Sequence, residues 1–175
     1  VNHLPDAVVR IDDGTISAVV DAHEYQRDGG DLDNCETTQG LIIPGLIDSH
    51  IHYPQMDIIG SYGSQLMEWL DSYAFPAELA YASQELAQLK AEAFLDRLFS
   101  HGTTTSLTFT TVHAHSTDAL FSAASKRNVR LIAGKVLMNR EAPVGLCDGP
   151  GDGIAESAAL IERWHGQGRL SYAVT

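Results

Sequence analysis

The chain has 175 residues, 44% of them hydrophobic, which is enough to bury a sizeable core. Lys and Arg number 11 against 23 Asp and Glu, and the formal net charge of -12 would repel phosphate backbones and anionic lipids, so a nucleic-acid polymer and a membrane are excluded as expected partners. No run approaches the roughly 20 apolar residues of a bilayer span, and residues 1–10 lack the layout of a secretion signal, so a cytoplasmic location is the default expectation. Cys35 and Cys147 lie far apart, in no C-x-x-C pattern, and read as reduced thiols.

Residues 6–35 begin AVVRIDDGTISAVV, two short alternating segments joined by Asp13-Gly14, a dipeptide favoured in tight hairpins. The grammar changes at Gly40 to apolar strand-like runs alternating with helical periodicity, so a boundary is expected near Gln39. Residues 41–52 are nearly all apolar until their end, the pattern of a strand buried on both faces with polar atoms at its C-terminal tip. Residues 83–100 predict a helix with Leu86, Leu89, Ala93, Phe94 and Leu98 on one face and Gly102 just beyond its end.

A β-branched run over 103–112 predicts the next strand, and 116–128 a helix with a Ser or Thr start. Residues 130–138 predict a third strand and 143–153 a loop. A helix over 153–168 would carry Ile154, Ala158 and Ile161 inward, and 170–174 would begin a fourth strand. The expected class is α/β: residues 40–175 as the N-terminal half of a (β/α)8 TIM-type barrel, and 1–39 as part of a small β-sandwich module before it. An apolar last strand with no helix after it would leave a parallel sheet bare, so a truncated barrel is expected.

His50 and His52 stand two apart at the tip of the first barrel strand, about 7 Å apart along the chain and on one side of it. Neutral imidazoles suit zinc or iron, and barrels of this kind place their sites at the C-terminal ends of their strands. An isolated H-x-H is weak evidence, but here it closes the string PGLIDSHIH, which resembles the first-strand signature of the amidohydrolase superfamily. The continuation HIHYPQMDIIGSYGSQLMEWLDSYAFPAE, and later SHGTTTSLTFTTVH, IAGKVLMNREAP and IERWHGQGRLSYAVT, resemble the guanine deaminases within it.

That resemblance implies hydrolytic deamination of guanine to xanthine and ammonia by a metal-activated water, with one divalent ion, zinc or alternatively iron, held by His50 and His52. It implies that Gln55 binds the purine, a task an amide suits because it offers both a donor and an acceptor. It further implies guanine as the small-molecule substrate, a homodimer at full length, and further ligands, a proton-shuttling glutamate and an Arg-Phe pair at positions beyond Thr175. The chain alone is therefore expected to be inactive, with no catalytic residue of its own beyond the ligand pair.

Trp69, Tyr73 and Phe75 are candidates for the purine wall by stacking, with ordinary core packing as the other reading. His113-Ala114-His115 repeats the H-x-H spacing. The resemblance draws no ligand from there, and His113 reads as an orienting or a satisfied loop histidine. His101 reads as a favourable group near a helix C-terminus. Two rival readings remain: a hydantoinase-like or triazine-type hydrolase, which should lack the Y-P-Q, E-W-L and F-P-x-E strings, and a non-catalytic half-barrel whose open edges bind a partner.

Overall fold

The computed structural model describes residues 3–175. The chain divides into two compact units between Ile43 and Pro44, a few residues beyond the composition change at Gln39. In the first unit, β1 (Ala7–Asp12) and β2 (Thr15–Asp21) form an antiparallel hairpin. Asp13 at φ 49° and Gly14 at φ 74° make the turn between them, the paired positive angles that this dipeptide tolerates. A short helix not expected from sequence, α1 (Ala22–Arg27), follows directly, capped by the Asp21 carboxylate on the backbone N–H groups of His23 and Glu24.

The second unit is a parallel sheet with covering helices, as expected. Its strands β3 (Leu46–His52), β4 (Thr103–Phe109), β5 (Arg130–Gly134) and β6 (Leu170–Tyr172) lie side by side in chain order. Between β3 and β4 come a 3-10 segment (Tyr53–Ile58), α2 (Leu66–Trp69), one π-helical turn, α3 (Phe75–Leu79) and the long α4 (Gln84–Ser100). Crossovers through α5 (Ala114–Lys126) and α6 (Asp152–Trp164) complete the alternation. The main core gathers Phe94, Leu95, Leu120, Phe121, Leu131 and Tyr172, with Phe121 stacked between Trp164 and Tyr172.

Several expectations are corrected. Residues 41–43 lie outside any strand and are exposed, and Ile47 within β3 is 75% exposed. Within these four strands β3 pairs with β4 alone, which leaves Ile47 without a neighbouring strand on its other side. The strands over 103–112, 130–138 and 170–174 each stop short, at Phe109, Gly134 and Tyr172. The helix expected from 116 begins at Ala114 and is capped by His113 without a side-chain bond, in place of Ser or Thr.

Two helix faces are rotated from their expected positions. In α4 the inward residues are Ala87, Ala91, Phe94, Leu95 and Leu98, while Leu89 is 66% exposed. Alanine lines this face because α4 packs closely on α5, which turns Ala119, Ala123 and Ala124 inward, so closeness of approach outranks side-chain bulk. In α6 the inward residues are Gly153, Ser157 and Leu160, and Ile154 is 73% exposed. The N-cap of α4 is as its sequence indicates, with Ser83 Oγ accepting from the Leu86 N–H at 3.2 Å.

Gly102 ends α4 as expected, at φ +78° and with open space where a Cβ would stand. Its N–H bonds the Phe99 carbonyl and its carbonyl takes the Leu46 N–H that starts β3. Gly102→Ala is therefore expected to lower stability through backbone strain alone, by about 1 kcal/mol. Urea unfolding of the full-length protein checks it, and Gly102→Asn should lose less, since asparagine tolerates this region better.

Candidate metal centre and base pocket

Register aligns His52 with Phe109 and Phe109 with Gly134, so the strands end together and the histidine pair sits at their C-terminal edge. Strand alternation puts the two imidazoles on one side, with ring centroids 5.1 Å apart and Nε2 atoms 3.2 Å apart. Phe109 braces both: its ring is parallel to His52 at 4.8 Å and tilted against His50 at 5.0 Å. The backbone at His50 is held by its own N–H donating to Asp48 Oδ1 at 3.0 Å. Burial, and then the neighbouring His50, hold the His52 imidazole below the usual histidine range, which favours the neutral form that a metal requires.

The spacing also tests the fit of a metal. Nitrogens bound to zinc at about 2.0–2.1 Å and meeting near the tetrahedral angle would lie roughly 3.3–3.4 Å apart. The observed 3.2 Å between the Nε2 atoms matches a chelating pair closely. Among the described residues no group of three or more His, Cys, Asp or Glu converges on a common point, so the histidine pair is two ligands and no more.

The segment after His52 is rigid at its root. Tyr53 and Pro54 are fully buried, Tyr53 donates its hydroxyl to the Ala87 carbonyl, and its ring meets Tyr81 and Phe94 edge-on. That anchorage sets Gln55 facing the same cleft as the histidines. The cleft, about 290 Å³, is lined by His50, His52, Gln55, Ile58, Ile59, Ser61, Trp69 and Arg97 among others. Gln55 Nε2 donates to Glu78 Oε1 at 3.4 Å. Burial raises the Glu78 carboxyl pKa, and the bond from Gln55 opposes that shift.

The structure thus brings His50, His52, Gln55 and Trp69 to one cleft. The Trp69 indole N–H donates to Ser61 Oγ at 2.9 Å and to the Ser61 carbonyl at 3.2 Å, which fixes the ring at the rim. Tyr73 is partly exposed and does not line the cleft. Phe75 belongs to a second core with Val112 and Leu146, so the core reading holds for it.

The second H-x-H is arranged differently. The rings of His113 and His115 are stacked at 5.6 Å, and His115 Nε2 bonds the Tyr81 carbonyl at 2.9 Å, leaving that nitrogen engaged. His113 Nε2 is buried without a protein partner. His101 Nδ1 lies 2.9 Å from the Arg97 carbonyl at the end of α4, where a donor satisfies an open carbonyl. Cys35 and Cys147 are both free thiols.

Two residues in contact with the cleft side chains, Phe109 and Glu78, were not assigned from sequence, nor was buried Lys135 away from the cleft. Glu78 is the acid of the F-P-x-E string, and its position in that string was a visible signal without a partner to explain it. Lys135 interrupts an apolar run, IAGKVLM, and is completely buried at the end of β5 against Asp148 and Glu156.

Four parallel strands in chain order joined by helical crossovers, with an H-x-H at the tip of the first, are the arrangement of one half of a (β/α)8 hydrolase barrel. The model of the amidohydrolase family matches residues 41–169, and the chain belongs to that family. It is 52% identical over 135 residues to the guanine deaminase of Escherichia coli K12, an alignment covering 77% of this chain and 31% of that protein. The solved E. coli guanine deaminase superposes with a TM-score of 0.84 at 42% identity, over 94% of this chain and 38% of that one. A guanine deaminase from Bradyrhizobium japonicum gives 0.85 at 37% identity, over 94% and 36%. The chain thus spans about a third of the length of the relatives it matches.

Proposed function

We propose that these residues form the first half of the barrel of a guanine deaminase, which hydrolyses guanine to xanthine and ammonia with one divalent ion, zinc with iron as the alternative. Residues 1–39 belong in this reading to part of a small β module and 40–175 to the barrel. The observation that carries it is the convergence of His50 and His52, nitrogen to nitrogen at 3.2 Å, on a cleft that also holds Gln55. The 52% identity to an E. coli guanine deaminase supports the choice of substrate.

When bound, a divalent ion supplies Lewis acidity and makes hydroxide available near neutral pH. His50 and His52 contribute half of a four-ligand shell, and the other positions fall to the rest of the barrel. Phe109 holds both rings in place from beneath. Gln55 presents an amide to a base edge, Trp69 offers an aromatic face at the rim, and the apolar side chains of Ile58 and Ile59 exclude water around the base. The protein acts in this reading as a cytoplasmic homodimer on a small molecule.

The test is made on the full-length protein with its metal quantified. Guanine should disappear with equal appearance of xanthine and ammonia. A metallated protein that leaves guanine intact but opens a hydantoin or dechlorinates a triazine would move the reading elsewhere in the family. A protein that binds neither metal nor purine would support the non-catalytic alternative instead.

A further inference from the structure

A glutamine at a base-binding position is ambiguous in itself, because turning its amide over exchanges a donor for an acceptor at almost no cost in shape. Selectivity among purines therefore depends on what fixes the amide. The backbone at Gln55 is already set by buried Tyr53 and Pro54, so the side-chain orientation is the remaining freedom. The contact that the amide makes is with Glu78, a residue of α3 only 7% exposed, whose Oε1 takes Gln55 Nε2 at 3.4 Å. Glu78 itself does not line the cleft.

The bond from Gln55 favours the ionised form of Glu78 against its burial, and an ionised carboxylate only accepts hydrogen bonds, so the nitrogen end of Gln55 is the end that satisfies it. Reversing the amide would set two acceptors against each other beside a buried acid, an arrangement that buried groups avoid. With one N–H of the amide committed to Glu78, the oxygen is the group left to accept from a base in the cleft that Gln55 lines.

We propose that Glu78 is a positioning residue for substrate selection: by holding the Gln55 amide nitrogen it presents the Gln55 oxygen as an acceptor, so the site prefers purines that carry a hydrogen at N1. This rests on the function proposed above and deepens it. Guanine carries a hydrogen at N1, beside the carbon that loses its amine. In 2-aminopurine and 2,6-diaminopurine the same amine is present but N1 has none, and the Gln55 oxygen would meet a lone pair. A site built around a hydrogen bond rejects an analogue lacking its donor more strongly than a pocket of shape alone does.

The experiment compares kcat/KM for guanine with that for 2-aminopurine in the full-length metallated protein, metal content being measured alongside. Glu78→Met, which fills the same space without an acceptor, should lower the guanine preference by about tenfold, the worth of one oriented hydrogen bond. Metal content should not change. Glu78→Gln should keep most of the preference, since its oxygen can still receive Gln55 Nε2. Should Glu78→Met fail to fold, Glu78→Asp, which draws the acceptor back by one methylene, must show the fall in its place.

In a Gln55→Ala background, adding the Glu78 substitution should leave the ratio where Gln55→Ala put it. A wild-type protein that turns over guanine, with a ratio unmoved by Glu78→Met or Glu78→Asp, would overturn this inference and leave the function standing. Equal loss for both substrates, with the ratio constant, would overturn it as well by making Glu78 structural. A wild-type protein with no activity on guanine would remove the function and this inference together.

Discussion

His52→Ala in the full-length protein is expected to strip the bound metal and to lower guanine turnover by more than about 100-fold, because even partners outside the coordination shell cost 10–100-fold when lost. The magnitude follows from the chelate. One imidazole alone gives up the preformed pair of nitrogens 3.2 Å apart, and affinity for a site that is not preformed has to be drawn from ordering the remaining ligands. The fold should survive, since His52 is only half-buried and its stacking partner, Phe109, is likewise half-buried, so little core packing is lost. Metal analysis beside an activity assay reads both effects.

His115→Ala serves as the control for that experiment. It removes an H-x-H histidine of the same spacing, but one whose Nε2 is tied to the Tyr81 carbonyl. It should retain the metal and most of the activity, at a stability cost near 1 kcal/mol for one lost hydrogen bond. Retention of full metal by His52→Ala, or loss of metal by His115→Ala, would exchange the roles of the two pairs.

The convergence of His50 and His52, the pair proposed to hold the metal, was legible in sequence because everything it needs is local: two imidazoles, a period of two, and a strand that ends. The hairpin at Asp13-Gly14 and the glycine after α4 were legible for the same reason, since each depends on the angles of one or two residues. The helix faces were not. Hydrophobic bulk pointed to Leu89 and Ile154, whereas the structure buries Ala87 and Ala91 in one helix and Ser157 in the other, because neighbouring elements approach too closely there for larger side chains. Glu78 acquires meaning from Gln55, 23 positions earlier, and Lys135 from Asp148, 13 positions later. Pairings across loops of that length are set by the fold, not by the motif that contains either residue.

Lys135→Met is expected to cost about 3–5 kcal/mol, because breaking a buried ion pair leaves its partner charged and uncompensated. The Lys135 side chain is 0% exposed, and its ammonium is held by Asp148, itself only 12% exposed, with Glu156 at 3.4 Å and the Val136 carbonyl at 3.3 Å. Asp148 in turn accepts the Met138 N–H at 3.0 Å, so the pair ties the end of β5 to the loop that leads into α6. The Lys135 backbone adds a second tie, taking Tyr172 Oη on its N–H and Thr175 Oγ1 on its carbonyl. Without the cation, the Asp148 carboxylate keeps one backbone donor and little water.

Replacing both partners should behave quite differently. In Lys135→Met with Asp148→Leu neither buried charge remains, and substitution of a buried ion pair by apolar groups of similar size is often neutral or even stabilising. Most of the loss should therefore be recovered in the double variant, as read by urea unfolding of the full-length protein. A single variant within about 1 kcal/mol of wild type would mean that Glu156 and solvent already compensate Asp148. A double variant as damaged as the single would mean that the bond from Asp148 to the Met138 N–H, rather than the charge pair, holds the loop that lies above the strand ends.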